Sequence, residues 1–137
     1  MDFKTLPYVL IADDQEEIRE SLARVLGEFF NVIVVKDGKL AIEYILSGGP
    51  HSLGLVITDF SMPEADGLEV ARALRTCGDR IPIIVITGTP ELSGTPLATL
   101  LALPNTQCLQ KPFTMAQLWS VIRPLFPGMA LPPPNRQ

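Results

Sequence analysis

The chain is poor in cysteine, histidine and basic clusters, and each shortage removes a class of function. Its two cysteines, Cys77 and Cys108, lie far apart among 137 residues, and the single histidine, His51, stands near neither. No His/Cys spacing suits zinc, so the thiols read as reduced ones in a cytosolic protein. His51 follows Gly48-Gly49-Pro50 without an acidic neighbour and reads as a surface loop residue, not a phosphodonor. Eleven Lys and Arg against fifteen Asp and Glu give a net charge of -4 with no basic cluster, so no direct nucleic-acid partner is expected. Apolar stretches stay well short of the roughly 20 residues that span a bilayer. Met1-Asp2-Phe3-Lys4-Thr5 also lacks a charged-then-apolar leader pattern. A cytoplasmic location with no membrane partner is the resulting expectation.

What is present is a chain long enough for one domain with its own core. Short runs rich in Val, Ile and Leu at residues 8–12, 32–35, 53–58 and 83–86 predict strands buried on both faces. A weaker fifth run surrounds Cys108 and Leu109. Between the strands the period changes. Ile18, Leu22, Val25, Leu26 and Phe29 form one helical stripe, and a second helix over 39–46 stops at Ser47-Gly48-Gly49-Pro50. A third runs over 67–76. A short, nearly all-apolar fourth covers 97–103 behind Gly94-Thr95-Pro96 and ends at Pro104, and a fifth opens at the capping box Thr114/Gln117 and should end at Pro124. Trp119, Leu118, Val121 and Ile122 on that helix read as core. Alternation of this kind implies parallel pairing, right-handed crossovers and helices on both faces of the sheet. Residues 1–126 are expected to form the domain, and the proline-rich 127–137 an extended tail or linker.

The polar residues that carry chemistry stand at strand ends, where open α/β sheets bind their ligands. Asp13 and Asp14 follow the first run, Asp59 closes the third, and Thr87 and Lys111 follow the fourth and fifth. A glycine-rich turn after the first strand would cradle phosphate. Here Asp13-Asp14-Gln15-Glu16-Glu17 occupies that place, which repels free phosphate and suits a hard divalent cation such as Mg²⁺. Glu16 and Glu17 are better read as complementing the helix dipole. For Asp13 and Asp14 capping and metal binding balance, until a third carboxylate at a neighbouring strand end favours the metal. Lys111 alone would be a solvated loop lysine and Thr87 a turn residue. Together with three acids they make a site that holds Mg²⁺ and a phosphoryl group.

The ordered set Asp13-Asp14, Asp59 with Met62-Pro63 and Asp66-Gly67, Thr87, and Lys111-Pro112-Phe113 resembles the receiver domain of two-component response regulators over residues 7–126. The resemblance implies an α/β fold with a doubly wound five-stranded parallel sheet of strand order 2-1-3-4-5. It implies that Asp59 accepts a phosphoryl group from a phosphohistidine on a sensor histidine kinase or histidine phosphotransfer protein. Mg²⁺ would be held by Asp13, Asp14, Asp59 and the Ser61 backbone carbonyl. Lys111 and Thr87 would bond the phosphoryl oxygens, switching the face around helix 4, strand 5 and helix 5, which could serve a homodimer mate or an effector. By the same resemblance Lys111-Pro112 is expected cis, and Met62-Pro63 with Asp66-Gly67 shape the loop after Asp59. Such a module is no enzyme beyond its own phosphoryl transfer and dephosphorylation. The residues that tune dephosphorylation in the family correspond to Ser61, Gly88 and Thr89.

Two departures accompany the match. Receivers carry Tyr or Phe three residues before the lysine, where this chain has Cys108, read as a small packed hydrophobe. Leu103-Pro104-Asn105-Thr106-Gln107 replaces the usual small-residue turn before the fifth strand. Cys108 leaves open a phosphorylation-independent interaction module on the same fold. A phosphatase with an aspartyl nucleophile would want an acid two residues further on, and Ser61 is not one. Flavin binding is opposed by the acidic loop.

Overall fold

A computed structural model of the chain describes residues 6–47, 53–78, 80–88 and 96–133. The elements run β1 (Tyr8–Ala12), α1 (Glu16–Leu26), β2 (Asn31–Val35), α2 (Gly38–Leu46), β3 (Leu53–Asp59), α3 (Gly67–Cys77), β4 (Ile83–Thr87), α4 (Pro96–Leu101), β5 (Thr106–Gln110) and α5 (Met115–Ile122), followed by a 3₁₀ turn at Arg123–Leu125. All pairings are parallel, in the order β2-β1-β3-β4-β5. This is the doubly wound sheet that the alternating pattern and the receiver resemblance predict. The Gly48-Gly49-Pro50 terminator, His51, Thr89, the Gly94-Thr95 cap and residues 134–137 lie outside the described residues.

Each face of the sheet carries its own core. Val9, Ile11, Leu55, Ile57, Ile84 and Ile86 point to one side and pack with Leu22 and Leu26 of α1 and Leu118, Trp119 and Ile122 of α5. Leu10, Val56, Ile83 and Val85, at the alternate positions, pack on the other side with Ala41, Ile45, Val70, Leu74 and Leu100 from α2, α3 and α4. Alternation of side chains along a strand explains why these runs are apolar at every position: both faces are covered. Trp119 is core, 4% exposed and edge-on to Phe29 at 5.4 Å between ring centroids. No helix among the described residues is long and apolar enough to cross a membrane.

Helix boundaries follow local chemistry. The Asp37 side chain caps α2 by accepting the Leu40 N–H at 2.8 Å, while Asp66/Glu69 and Thr114/Gln117 close reciprocal capping boxes on α3 and α5. The stripe of α1 was expected to reach Phe29, but the helix stops at Leu26 and Gly27 forms its cap. Phe29 and Phe30 then donate their N–H groups to the Leu26 carbonyl in a tightening turn. Similarly α4 ends at Leu101, ahead of the expected 103, and Pro124 lies inside the 3₁₀ turn that succeeds α5.

Two expectations need correction. Cys108 is exposed and not packed inside, because β5 is an edge strand on which only Leu109 is fully buried. The segment from Pro127 to Pro133 takes no helix or strand, yet it is no free tail. Leu131 is 5% exposed within the α1/α5 core, and its carbonyl accepts from Arg123 Nη1 at 2.6 Å. Packing therefore continues past Phe126 to Leu131. Proline content signals missing donors, but it does not reveal that one leucine of the segment finds a core to enter.

Candidate functional site: an acidic cluster at the strand ends

Register builds the site. Ala12 of β1 lies opposite Thr58 of β3, so the residues that follow, Asp13 and Asp59, emerge side by side at the C-terminal edge of the two central strands. Asp59 lies opposite Ile86, one residue before Thr87, and Thr87 lies opposite Gln110, one residue before Lys111. The Lys111 N–H donates to the Thr87 carbonyl at 2.8 Å, which ties the ends of β4 and β5 together. The Lys111-Pro112 bond is cis, as expected.

The loop after β3 is held closely. The Phe60 carbonyl accepts the Gly67 N–H at 2.8 Å, and a Cβ on Gly67 would come within 3.2 Å of the Asp59 carbonyl oxygen. Between them Glu64 adopts a φ of 73°, and the Ala65 N–H bonds to the Pro63 carbonyl across it at 2.8 Å, a γ-turn. Behind this loop stands Gly38 of α2, where an added Cβ would collide with the Ala65 carbonyl oxygen. Only a hydrogen fits there.

Asp13 and Asp59 are buried, 1% and 6% exposed, whereas Asp14 is exposed. One carboxylate oxygen from each of the three lies within 4.8 Å of the others. Lys111 Nζ is 3.3 Å from Asp59 Oδ2, 3.8 Å from Asp13 Oδ2, and donates to Gln15 Oε1 at 3.0 Å. Asp13 Oδ1 accepts the Gln15 N–H at 2.8 Å, and the Asp13 carbonyl accepts from Arg19 Nη1 at 2.9 Å. Thr87 is buried at the end of β4, and Ser61 is exposed on the loop beyond the cluster. Glu16 and Glu17 lie in the first turn of α1, where they suit its dipole. Gln15 is not legible from the sequence, because it sits inside the acidic run Asp13-Asp14-Gln15-Glu16-Glu17, whose charge is the dominant signal.

Electrostatically the cluster is short of positive charge. Burial raises the pKa of Asp59, the neighbouring Asp13 raises it further, and Lys111 only partly opposes them. Burial likewise raises Asp13, against the Gln15 N–H bond and Lys111. Asp13 Oδ2 is buried without a hydrogen-bond partner. An orphaned carboxylate oxygen beside two further carboxylates fits a hard divalent cation that keeps part of its water shell, so the donor set suits Mg²⁺.

The raised pKa values carry a stability consequence with a definite sign. A carboxyl that holds its proton more tightly folded than unfolded stabilises the fold as pH drops through its folded pKa toward the ordinary 3.8. In metal-free buffer, Asp13 and Asp59 should therefore raise the melting temperature as pH falls from neutrality toward the ordinary carboxylate value of 3.8. Mg²⁺ at ten times its Kd should add about 1.4 kcal/mol at neutral pH and flatten that dependence. Calorimetry with and without Mg²⁺ checks both; a metal-free melting temperature that falls over this window counts against the assignment.

A family model for the response regulator receiver domain matches residues 9–123. The chain belongs to the response regulator receiver domain family. The response regulator MprA of Mycolicibacterium vanbaalenii is 38% identical over 118 residues, which is 85% of this chain and 49% of the relative. MprA of Mycobacterium ulcerans is 39% identical over the same shares. The chain thus spans about half the length of these curated relatives. Among solved structures, a response regulator receiver protein from Sinorhizobium medicae matches with a TM-score of 0.79 and 31% identity over 91% of this chain and 98% of its own. The response regulator TrrA of Thermotoga maritima, solved in complex with Mg²⁺-BeF, matches with a TM-score of 0.73 and 26% identity, covering 88% of this receiver and 99% of TrrA. This receiver is accordingly a two-component signalling module.

Proposed function

We propose that this receiver is a phosphorelay acceptor in which Asp59 takes a phosphoryl group from a phosphohistidine. The observation that carries the reading is the meeting of Asp59 with Lys111 and two further carboxylates at one sheet edge. In the transfer an Asp59 carboxylate oxygen attacks phosphorus, the P–N bond breaks, and the imidazole of the donor keeps the electron pair. An aspartyl phosphate results. Lys111, already 3.3 Å from Asp59 Oδ2, neutralises phosphoryl oxygens as charge gathers on them in a loose transition state. Asp13, Asp14, Asp59 and the Ser61 carbonyl would hold Mg²⁺, which supplies positive charge to the same oxygens. Thr87, buried beside Lys111, would donate its hydroxyl to the product and carry the change to the face of α4, β5 and α5.

The donor would be a histidine kinase or histidine phosphotransfer protein. An apolar groove beside the acids supports this: Ile18 and Leu22 of α1 face Pro112, Phe113 and Met115 across it, with Lys111 at the rim. An amphipathic helix carrying the phosphohistidine fits such a groove. We further propose a cytoplasmic location and a folded unit that closes at Leu131. A homodimer mate or effector would use the α4-β5-α5 face; nucleic-acid contact belongs to any further domain and not to this acidic one.

Incubation with Mg²⁺ and acetyl phosphate should increase the intact mass by one phosphoryl group. An unchanged mass would favour the phosphorylation-independent module. Once formed, the aspartyl phosphate should hydrolyse slowly, because exposed Ser61 offers neither amide nor carboxylate to orient a water. A half-life of minutes or longer is expected in the presence of Mg²⁺; decay within seconds would refute it.

A further inference from the structure

The shortest bond of the Lys111 ammonium is to neither carboxylate. It is the 3.0 Å contact with Gln15 Oε1, against 3.3 Å to Asp59 and 3.8 Å to Asp13. Gln15 is the N-cap residue of α1, yet its side chain makes no capping bond to the helix. It reaches instead across the mouth of the site to the loop after β5. Its backbone serves the site as well, since its N–H fixes Asp13 Oδ1 at 2.8 Å.

We infer that Gln15 is a positioning residue for phosphoryl transfer, holding Lys111 between β1 and β3 where an incoming phosphoryl oxygen will need it. This rests on the phosphoacceptor reading above. The physical case begins with the lysine. A long flexible side chain loses rotamer freedom when it is held in one place, and 21% of Lys111 is exposed to water that competes for its three donors. Left to two carboxylates alone, the ammonium would settle into whichever ion pair is deeper. A third acceptor from the opposite wall fixes its direction. A neutral amide does so without adding a fourth negative charge to a site that must admit a phosphoryl dianion. The bond also leaves the ammonium further donors for Asp59 and for the phosphoryl group.

The test uses acetyl phosphate with Mg²⁺ and follows adduct formation by intact mass in wild type, Gln15→Met, Lys111→Met and the double variant. Gln15 is exposed, so its replacement should not impair folding. Gln15→Met should lower the rate at saturating donor about fivefold, the scale of one partly exposed hydrogen bond to a charged group. In the Lys111→Met background the same change should have less than about a twofold effect, because the partner is gone. The Mg²⁺-induced rise in melting temperature should match wild type, since all three acids and the Gln15 N–H remain. Gln15→Asn, one methylene short, should behave like Gln15→Met. A wild-type rate in Gln15→Met, or an equal loss in both backgrounds, would overturn the inference while leaving Asp59 as phosphoacceptor. A wild-type protein that takes no phosphoryl group would bring down both.

Discussion

Replacing Asp59 by Asn should abolish the phosphoryl adduct entirely and, at the same time, raise the melting temperature of the metal-free protein. Both effects come from one carboxylate. An amide has no anionic oxygen to attack phosphorus, and among the described residues no other carboxyl has Asp59's combination of burial and a 3.3 Å ammonium. Asp13 lies 3.8 Å from the same ammonium but spends Oδ1 on the Gln15 N–H. The stability gain follows from the upward pKa of Asp59. Burial and repulsion from Asp13 outweigh attraction to Lys111, so the ionised side chain opposes folding relative to its neutral form. Asparagine imitates that neutral form. The same substitution should reduce stabilisation by Mg²⁺, because one of the three clustered negative charges is lost. Intact mass and calorimetry on the pair of proteins check the two halves. An adduct surviving in the variant would move the acceptor elsewhere, and a lowered metal-free melting temperature would mean that the Lys111 pair dominates.

The second large effect lies far from the acids. Leu131→Ala should destabilise the domain by about 2 kcal/mol, the lower end for a buried leucine, because a segment without helix or strand can partly collapse into the space. For a domain of this size that is roughly 6–10 °C in melting temperature. Truncation after Phe126 should cost at least as much, since it also removes Met129 from the core and the 2.6 Å bond from Arg123 to the Leu131 carbonyl. Thermal unfolding of the two variants decides it. A free linker would leave the melting temperature unchanged.

Burial on both faces made β1, β3 and β4 readable, since a strand covered on each side leaves an unbroken apolar run. β5 was faint for the opposite reason: as an edge strand with Gln107, Cys108 and Gln110 exposed, it alternates weakly. The same edge position put Cys108 outside, against its expected packing. Caps were legible at Thr114 because both partners of the box lie within four residues. Leu131 was illegible because much of the core cluster it joins, Phe30 included, is distant in sequence. The acids, Thr87 and Lys111 could be named from their order along the chain, but their depth of burial and the orphaned Asp13 Oδ2 needed coordinates. Gln15 needed them most. Its role depends on a lysine near the other end of the sequence.

Gly38 does no chemistry, stands at the start of a helix away from the acids, and would attract no notice in a search for reactive groups. Yet the Ala65 carbonyl occupies the space where its side chain would be, and Ala65 belongs to the loop that Gly67 clasps to Asp59 and Phe60. In a mutational scan scored on signalling, position 38 should thus be as intolerant as position 59, and the map of sensitive positions will extend behind the site as well as around it.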